Sequence, residues 1–438
     1  MRVILPVFFP LLILLANFET WAQTPKELAE FWDAQHISKM PASQVRHKDL
    51  QNYLEELKKL GLKVEEVGRS YGSREIYQIE FGRGETRIFL WSQMHGDEPT
   101  ATSALIDIFA FLQSNRDKNW VKLIEEKLTI RAVPMLNPDG AEYFQRRSLQ
   151  SIDINRDARA QQTPEGRLLK KLRDEWSPHI GFNLHNQQSL TTVGRTTKQA
   201  TISLLAVNGD PSGKVDEGQI RNRRIVSLMI EALNTLIPGH IARYDDSYNS
   251  RAFGDNFSGW GTPTILIETG DLYGRDEMFL IKLNFIAIMT AFKVIADGSE
   301  ASAAIAVYEN LPRNSSGRLF NVLFRKANVV DPSTGVSYMV DIGVNQERRR
   351  AGEEAPMYVR EIGDIFSGAG LEEYNAIDFY VVARGGSLRV GAPAGFLFYK
   401  KTRRIDWRAK DLETEFPPDA VYIAGKWIKG EGVVPKMN

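Results

Sequence analysis

The sequence predicts an α/β domain followed by a smaller, mainly β domain, and three observations lead there. Between residues 48 and 297, short apolar runs of strand length alternate with amphipathic runs of helical period. After Asp297-Gly298-Ser299 the helical runs give way to short strand-like runs divided by glycine- and proline-containing turns. Several apolar runs in the first region end on His, Glu or Asn, as expected where strand ends open onto a ligand.

In chain order, Met1 to Gln23 opens with Arg2, continues with an apolar run from Val3 to Ala16, and reaches a Trp-Ala-Gln junction. This is the layout of a secretory signal over residues 1–22, with cleavage expected after Ala22. The run is shorter than the roughly 20 apolar residues a spanning helix needs. The expected product is therefore exported, periplasmic or secreted, with no stable membrane insertion after cleavage. Residues 23–47 read as a polar lead-in.

From Lys48 to Leu60, Leu50, Leu54, Leu57 and Leu60 recur at helical spacing before Gly61. Strands are then expected over Ile76–Phe81, Arg87–Trp91, Thr129–Leu136, Gly181–Leu184, Ile202–Val207 and Thr264–Ile267. Helices are expected over Thr100–Leu112, Pro164–Trp176, Gln219–Leu236 and Glu277–Val294. Strands this apolar, interleaved with helices, form a sheet covered on both faces. In residues 303–438 strands are expected over Ile305–Tyr308, Leu319–Phe324, Tyr338–Ile342, Ile377–Ala383, Phe396–Tyr399 and Val421–Trp427.

Composition narrows the function. The chain has 438 residues with 55 Lys plus Arg against 55 Asp plus Glu, so nothing favours nucleic acid as a partner. The cluster Arg348-Arg349-Arg350 reads as solvated surface. There is no cysteine, which excludes a thiol nucleophile and a thiolate metal site and leaves His, Asp and Glu as metal ligands.

His95 and Glu98 lie three apart in the turn that follows the run Arg87–Trp91, and a helix is expected to start near Pro99. An imidazole and a carboxylate can converge there. The bland alternative is a strand-end histidine with a glutamate complementing the helix dipole. His185 ends another apolar run and offers a third ligand, which completes the donor set of a catalytic zinc site with one position left open. His36, His47 and His240 read as surface residues, and His179 as structural.

Taken in order, His95-x-x-Glu98, Asn137-Pro138-Asp139-Gly140, Arg146, Asp153-Ile154-Asn155-Arg156-Asp157, His185 and Ile267-Glu268-Thr269-Gly270 resemble the carboxypeptidase A-type zinc metallocarboxypeptidases. The resemblance runs from about Lys48 to Val294 and implies a mixed, eight-stranded central sheet flanked by helices. It implies one Zn²⁺ per chain on His95, Glu98 and His185, with Glu268 as general base and Arg146 steadying the oxyanion (adjacent Arg147 leaves the register open by one). It further implies that Asn155 and Arg156 grip the free C-terminal carboxylate of a peptide. Tyr248, or failing that Tyr244, would close over the substrate.

Physical chemistry allows each role. A carboxylate beside an activated water can move its proton to a leaving amine. An arginine can stabilise an oxyanion, and a guanidinium can hold a carboxylate by two parallel bonds. The residues after His185 are Asn-Gln-Gln rather than the Ser-Tyr type of digestive members, so a different cleft is expected. Asp255, in the stretch Arg251–Gly259, could select a basic side chain. The alternatives are a zinc amidase or deacylase acting on N-acyl amino acids or cell-wall peptides, and a non-catalytic peptide-binding relative.

Overall fold

The computed structural model describes residues 24–437, so the proposed signal at 1–22 lies outside the described residues. Chain order begins with helix α1 (Pro25–Gln35), a 3₁₀ turn (Ala42–Gln44), α2 (His47–Lys59) and strands β1 (Lys63–Arg69), β2 (Glu75–Gly82) and β3 (Thr86–Ser92). It continues with α3 (Thr100–Ser114), α4 (Asn119–Lys127), β4 (Leu128–Val133), α5 (Pro138–Tyr143), α6 (Pro164–Trp176), β5 (Ile180–Asn186) and β6 (Thr192–Val193). Then come β7 (Ile202–Ala206), α7 (Glu217–Asn234), β8 (Ile241–Arg243), α8 (Phe253–Gly259), β9 (Thr264–Thr269) and α9 (Glu277–Asp297).

Eight strands form one mixed sheet in the order β1-β2-β4-β3-β5-β9-β7-β8. Its centre is parallel: β3 pairs with β4 and β5, and β5 with β9. The antiparallel pairs β1–β2, β2–β4 and β7–β9 make it mixed. Alternation along β3 explains the layers. Ile88 and Leu90 face the large core beneath α3, α4, α7 and α9, whereas Phe89 and Trp91 face a second core under α6 and α8. Helix ends are set locally: Asp276 caps α9 at the Phe279 N–H, and Gly298 ends it at φ 74°. Helix α9 is long and apolar enough to cross a membrane, yet 72% of its most apolar stretch is buried in this core. Within the polar lead-in, α1 packs Leu28 and Trp32 into the same core. His47 is also buried there, contrary to its surface reading, with Nε2 2.9 Å from Glu75 O.

The expected strand Ile305–Tyr308 is instead a short helix, α10 (Ala306–Glu309). A short apolar run does not distinguish the two, and here Tyr308 is drawn inward: its N–H donates to Ser227 Oγ and its hydroxyl accepts from the Ala206 N–H. Strand β10 (Asn314–Ser315) then pairs with β6. The remainder folds as β11 (Leu319–Val330), β12 (Ser337–Gln346), β13 (Met357–Gly363), β14 (Ala369–Asn375), β15 (Phe379–Ala383), β16 (Gly395–Lys400), β17 (Ala420–Ile423), β18 (Lys426–Lys429) and β19 (Lys436–Met437). These nine strands form one sheet. Strand β11 pairs first with β14 and then with β15, shifting at a bulge where Lys326 adopts φ 54°. Its core is a cluster of aromatic rings around Phe324.

The Arg348–Arg350 cluster is not plain surface. Arg350 is 7% exposed and sits between the two parts. Its guanidinium donates to Ser43 O at 2.7 Å, Ala141 O at 2.7 Å and Glu142 O at 2.9 Å. Burying a cation is costly unless its donors are satisfied, and here backbone carbonyls satisfy them.

Candidate active site

The site lies at the carboxyl ends of β3, β5 and β9. Just beyond β3, Gln93 turns the chain at φ 50°, and its side chain braces the turn by donating to Gly96 O and accepting from Thr102 Oγ1. The Asn137–Gly140 turn packs directly beneath. A Cβ on Gly96 would lie 1.9 Å from the Gly140 carbonyl carbon, so only glycine fits there. Asn137 caps α5 and donates to Met94 O, while Asp139, fully buried, binds Arg74 and the Gly72 N–H. The Asn-Pro-Asp-Gly motif is thus the scaffold of the metal-ligand turn.

Held this way, His95, Glu98 and His185 converge, each at most 5% exposed. Nδ1 of His95 is 2.8 Å from Glu98 Oε1, Nδ1 of His185 is 2.7 Å from Glu98 Oε2, and the two Nδ1 atoms are 3.1 Å apart. The residues fit a metal. Three donor atoms lie within 4.8 Å of one another, and His95 Nε2 is fixed at 3.1 Å by Asp153 Oδ1, the carboxylate support typical of a metal-bound imidazole. Burial opposes a charge on His95, yet Glu98 and Asp153 raise its imidazole to about 9. The two histidines in turn hold Glu98 well below the usual carboxylate range against its burial. The pocket favours a bound positive charge.

Glu268 stands beside this group by register, since on the parallel pair β5–β9 it is the direct partner of His185. Burial first, and then the charge of Glu98, push its carboxyl up to about 8, opposed in part by His95, Arg146 and the Tyr244 hydroxyl. Glu268 and burial together push Tyr244 far above its ordinary value. Tyr248 lines the same cleft.

Arg146 reaches the group and Arg147 does not. Arg146 Nη1 is 3.1 Å from Glu98 Oε1 and its Nε donates to Asp153 at 3.1 Å, whereas Arg147 bonds Ser151 O at the surface. Asn155 Oδ1 accepts the Phe253 N–H, tying the Asp153–Asp157 segment to α8. Arg156 lines the cleft and forms no ion pair among the described residues; one of its N–H groups bonds the neighbouring Asn155 O. Asp255, near Arg156, accepts the Asn249 N–H and is raised to about 6 by burial. Asp153 is the residue that sequence reading left without a role. The available signal was an acid two positions ahead of Asn155, in a segment whose other members reach the cleft.

A cleft of about 1310 Å³ joins these groups. A buried His/Glu/His donor set with a proton-affine carboxylate beside it, on a mixed sheet, can hold a metal ion and exchange a proton next to it. Residues 50–212 match the family model described as zinc carboxypeptidase. The match takes in His95, Glu98, Arg146, Asn155, Arg156 and His185 and stops before Glu268. A "Probable carboxypeptidase 2" of Arthroderma benhamiae is 34% identical over 110 residues, which are 25% of this chain and 20% of that protein. Carboxypeptidase 2 of Trichophyton rubrum is 33% identical over 99 residues, 23% of this chain and 18% of that protein. The matched stretch thus spans about one fifth of these relatives. A metallo-carboxypeptidase structure from Burkholderia cenocepacia superposes with a TM-score of 0.48 and 16% identity, covering 57% of this chain and 69% of that one.

Proposed function

We propose that the protein is a zinc-dependent carboxypeptidase that hydrolyses the C-terminal peptide bond of peptides. The observation that carries this reading is that the His95/Glu98/His185 donor set, Glu268 and the unpaired guanidinium of Arg156 open onto one cleft. A zinc ion on the three ligands would supply Lewis acidity, polarising the scissile carbonyl and acidifying water. Arg156 and Asn155 bind the substrate's terminal carboxylate, and the Asn155 Oδ1 ties that segment to α8. Arg146 presents a fixed positive donor where the carbonyl oxygen gains charge. Glu268 takes a proton from the attacking water and gives it to the leaving amine; a carboxyl with high proton affinity near neutral pH suits that exchange. Tyr248, or failing that Tyr244, covers the substrate; both line the cleft with Glu268.

The same reading includes the functional division at 48–297 and 303–438, one zinc per chain, and export directed by residues 1–22. It includes no nucleic-acid partner and no lasting membrane insertion.

Amidating the substrate's C-terminus tests the reading. Two charge-assisted bonds in a partly desolvated cleft are worth about 2–5 kcal/mol, so kcat/KM should fall roughly 30- to 3000-fold. Arg156→Ala should be slow on the free acid and nearly indifferent to amidation. If wild type and Arg156→Ala discriminate acid from amide equally, Arg156 is structural and an amidase or endopeptidase reading of the same zinc site takes over. Zinc content measured on His95→Ala and His185→Ala checks the ligand set, since both should lose the metal.

A further inference from the structure

The cleft has a second wall that comes from the β-rich part. Arg313–Gly317, Asn345, Gln346, Arg348 and Arg360 line it together with residues of the metal-ligand turn. The loop from β12 to β13 brings this wall in, and its three consecutive arginines divide the work. Arg350 is the buried anchor on Ser43, Ala141 and Glu142. The next bond along repeats the attachment, with the Ala351 N–H donating to Ser43 Oγ at 2.8 Å. Arg349 points away and pairs with Glu347 at 3.0 Å. Arg348 lies 5.8 Å from the centroid of the Phe144 ring, faces the cleft, and forms no ion pair among the described residues.

Charges along this wall largely cancel except at Arg348. Arg313 is bound to Asp246 at 2.8 Å, and Glu361, also on the cleft, offsets Arg360 beside it. Arg348 also stands apart from Arg156. It stands against Phe144 at the end of α5, whose first turn packs beneath the metal-ligand turn. Arg156 belongs instead to the segment that Asn155 ties to α8. The two guanidinium groups therefore stand on different elements of the cleft wall. With the terminal carboxylate on Arg156, the body of the peptide must run toward the other side.

The wall also accounts for Gln187 within the Asn-Gln-Gln that follows His185. Gln187 is spanned, its amide donating to Ala200 O at 2.6 Å and its carbonyl accepting from Asn314 Nδ2 at 3.2 Å. Residue 187 therefore fastens the linker strand β10 to the cleft.

We propose that the β-rich part is a substrate-binding wall, and that Arg348 recognises an acidic side chain of the peptide on the amino-terminal side of the scissile bond. Arginine matches a carboxylate in geometry as well as charge, and an exposed guanidinium without a partner is available for one. The proposal rests on the carboxypeptidase reading. Its test uses free-acid peptides with one common C-terminal residue and either Glu or Gln upstream, compared as a ratio of kcat/KM.

Wild type should prefer the Glu peptide by roughly 3- to 10-fold, the scale of an accessible charge pair, and the preference should shrink with added salt. Arg348→Gln should bring the ratio to about 1, and Arg348→Lys should keep part of it. Arg349→Gln, outside the cleft, should leave the ratio unchanged. A ratio that survives Arg348→Gln overturns this inference alone. Failure of wild type to cleave either peptide overturns the carboxypeptidase reading and the inference with it.

Discussion

In the α/β part, buried polar side chains are many, and those of the site gather at the carboxyl ends of the central strands: His95, Glu98, Asn183, His185, Asn186 and Glu268. In the β-rich part, tyrosines aside, Arg350 is the single polar or charged side chain buried among the described residues, and its partners belong to the α/β part. The difference follows from the sheets. Parallel strands covered on both faces leave polar residues room only at their ends, where several strands stop together. The β-rich sheet closes around aromatic rings and keeps its charges outside, so it can act on a substrate only where its surface is docked. One part is built to do chemistry, and the other to be positioned.

The largest effect expected from this contrast is chemical. Glu268→Gln should lower kcat by roughly 10²- to 10⁴-fold, because an amide cannot accept the water's proton. Metal content should stay at the wild-type level. Near-normal turnover in that variant would mean that the α/β part carries its base elsewhere.

Next comes the other core. Phe324 is fully buried, with the rings of Phe396, Phe398 and Tyr422 at 5.4, 5.4 and 5.2 Å. Phe324→Ala should destabilise the β-rich part by about 3–5 kcal/mol. In calorimetry a transition assigned to that part should move down while the rest holds. A single transition moving as one would show that the two cores fold as one unit, and the contrast would be of chemistry only.

How much of this was legible in the sequence depends on where each residue's partners lie. Strand-end placement exposed His95, Glu98 and His185 because apolar runs ending on polar residues are a local signal. Strand β1, with Glu65 and Glu66, is an edge strand and largely exposed, so it carries no apolar run to read. Three-residue β8 is too short for one. The run Ile305–Tyr308 was apolar for a reason period alone cannot show, since it packs as helix against α7. Arg350 was illegible in principle: its partners are backbone carbonyls of Ser43, Ala141 and Glu142, more than 200 positions away, and carbonyls leave no trace in composition. Asp153 supports His95 from 58 positions away.

Removing the anchor should sharpen the contrast further. Arg350→Ala deletes three charge-assisted bonds to carbonyls, each of which then needs water. Bonds to charged groups contribute about 1.5–3 kcal/mol each, and solvent entering the gap would recover part of that. The expected net loss is about 2 kcal/mol of docking. Limited proteolysis should then cut between β12 and β13 in the variant and spare wild type, while zinc content stays constant. Equal resistance in both would place the docking energy elsewhere.

The smallest expected effect is a pH dependence at another docking contact. Glu372 of the β-rich part accepts the Tyr273 hydroxyl of the α/β part at 2.7 Å, the Tyr374 hydroxyl at 2.7 Å and Lys436 Nζ at 3.2 Å. Burial by itself would raise its carboxyl, but the hydroxyls of Tyr273 and Tyr374 and the ammonium of Lys436 together hold it below the ordinary value. A depressed carboxyl stabilises the folded state above the unfolded value of about 4.3, and that contribution disappears as pH falls through the folded one. Glu372→Gln should therefore cost less than about 1 kcal/mol near neutral pH, since the contact is partly exposed. The cost should shrink toward zero as pH drops below 4, where wild type carries a neutral carboxyl as well. The difference in Tm between wild type and Glu372→Gln, followed from pH 6 downward, measures this directly. Tyr273→Phe removes the hydroxyl from the α/β side and should reproduce part of the loss with the same pH profile. If the Glu372→Gln difference stays constant with pH, the carboxylate's charge plays no part in holding the wall in place, and docking rests on Arg350, the other polar contacts and packing.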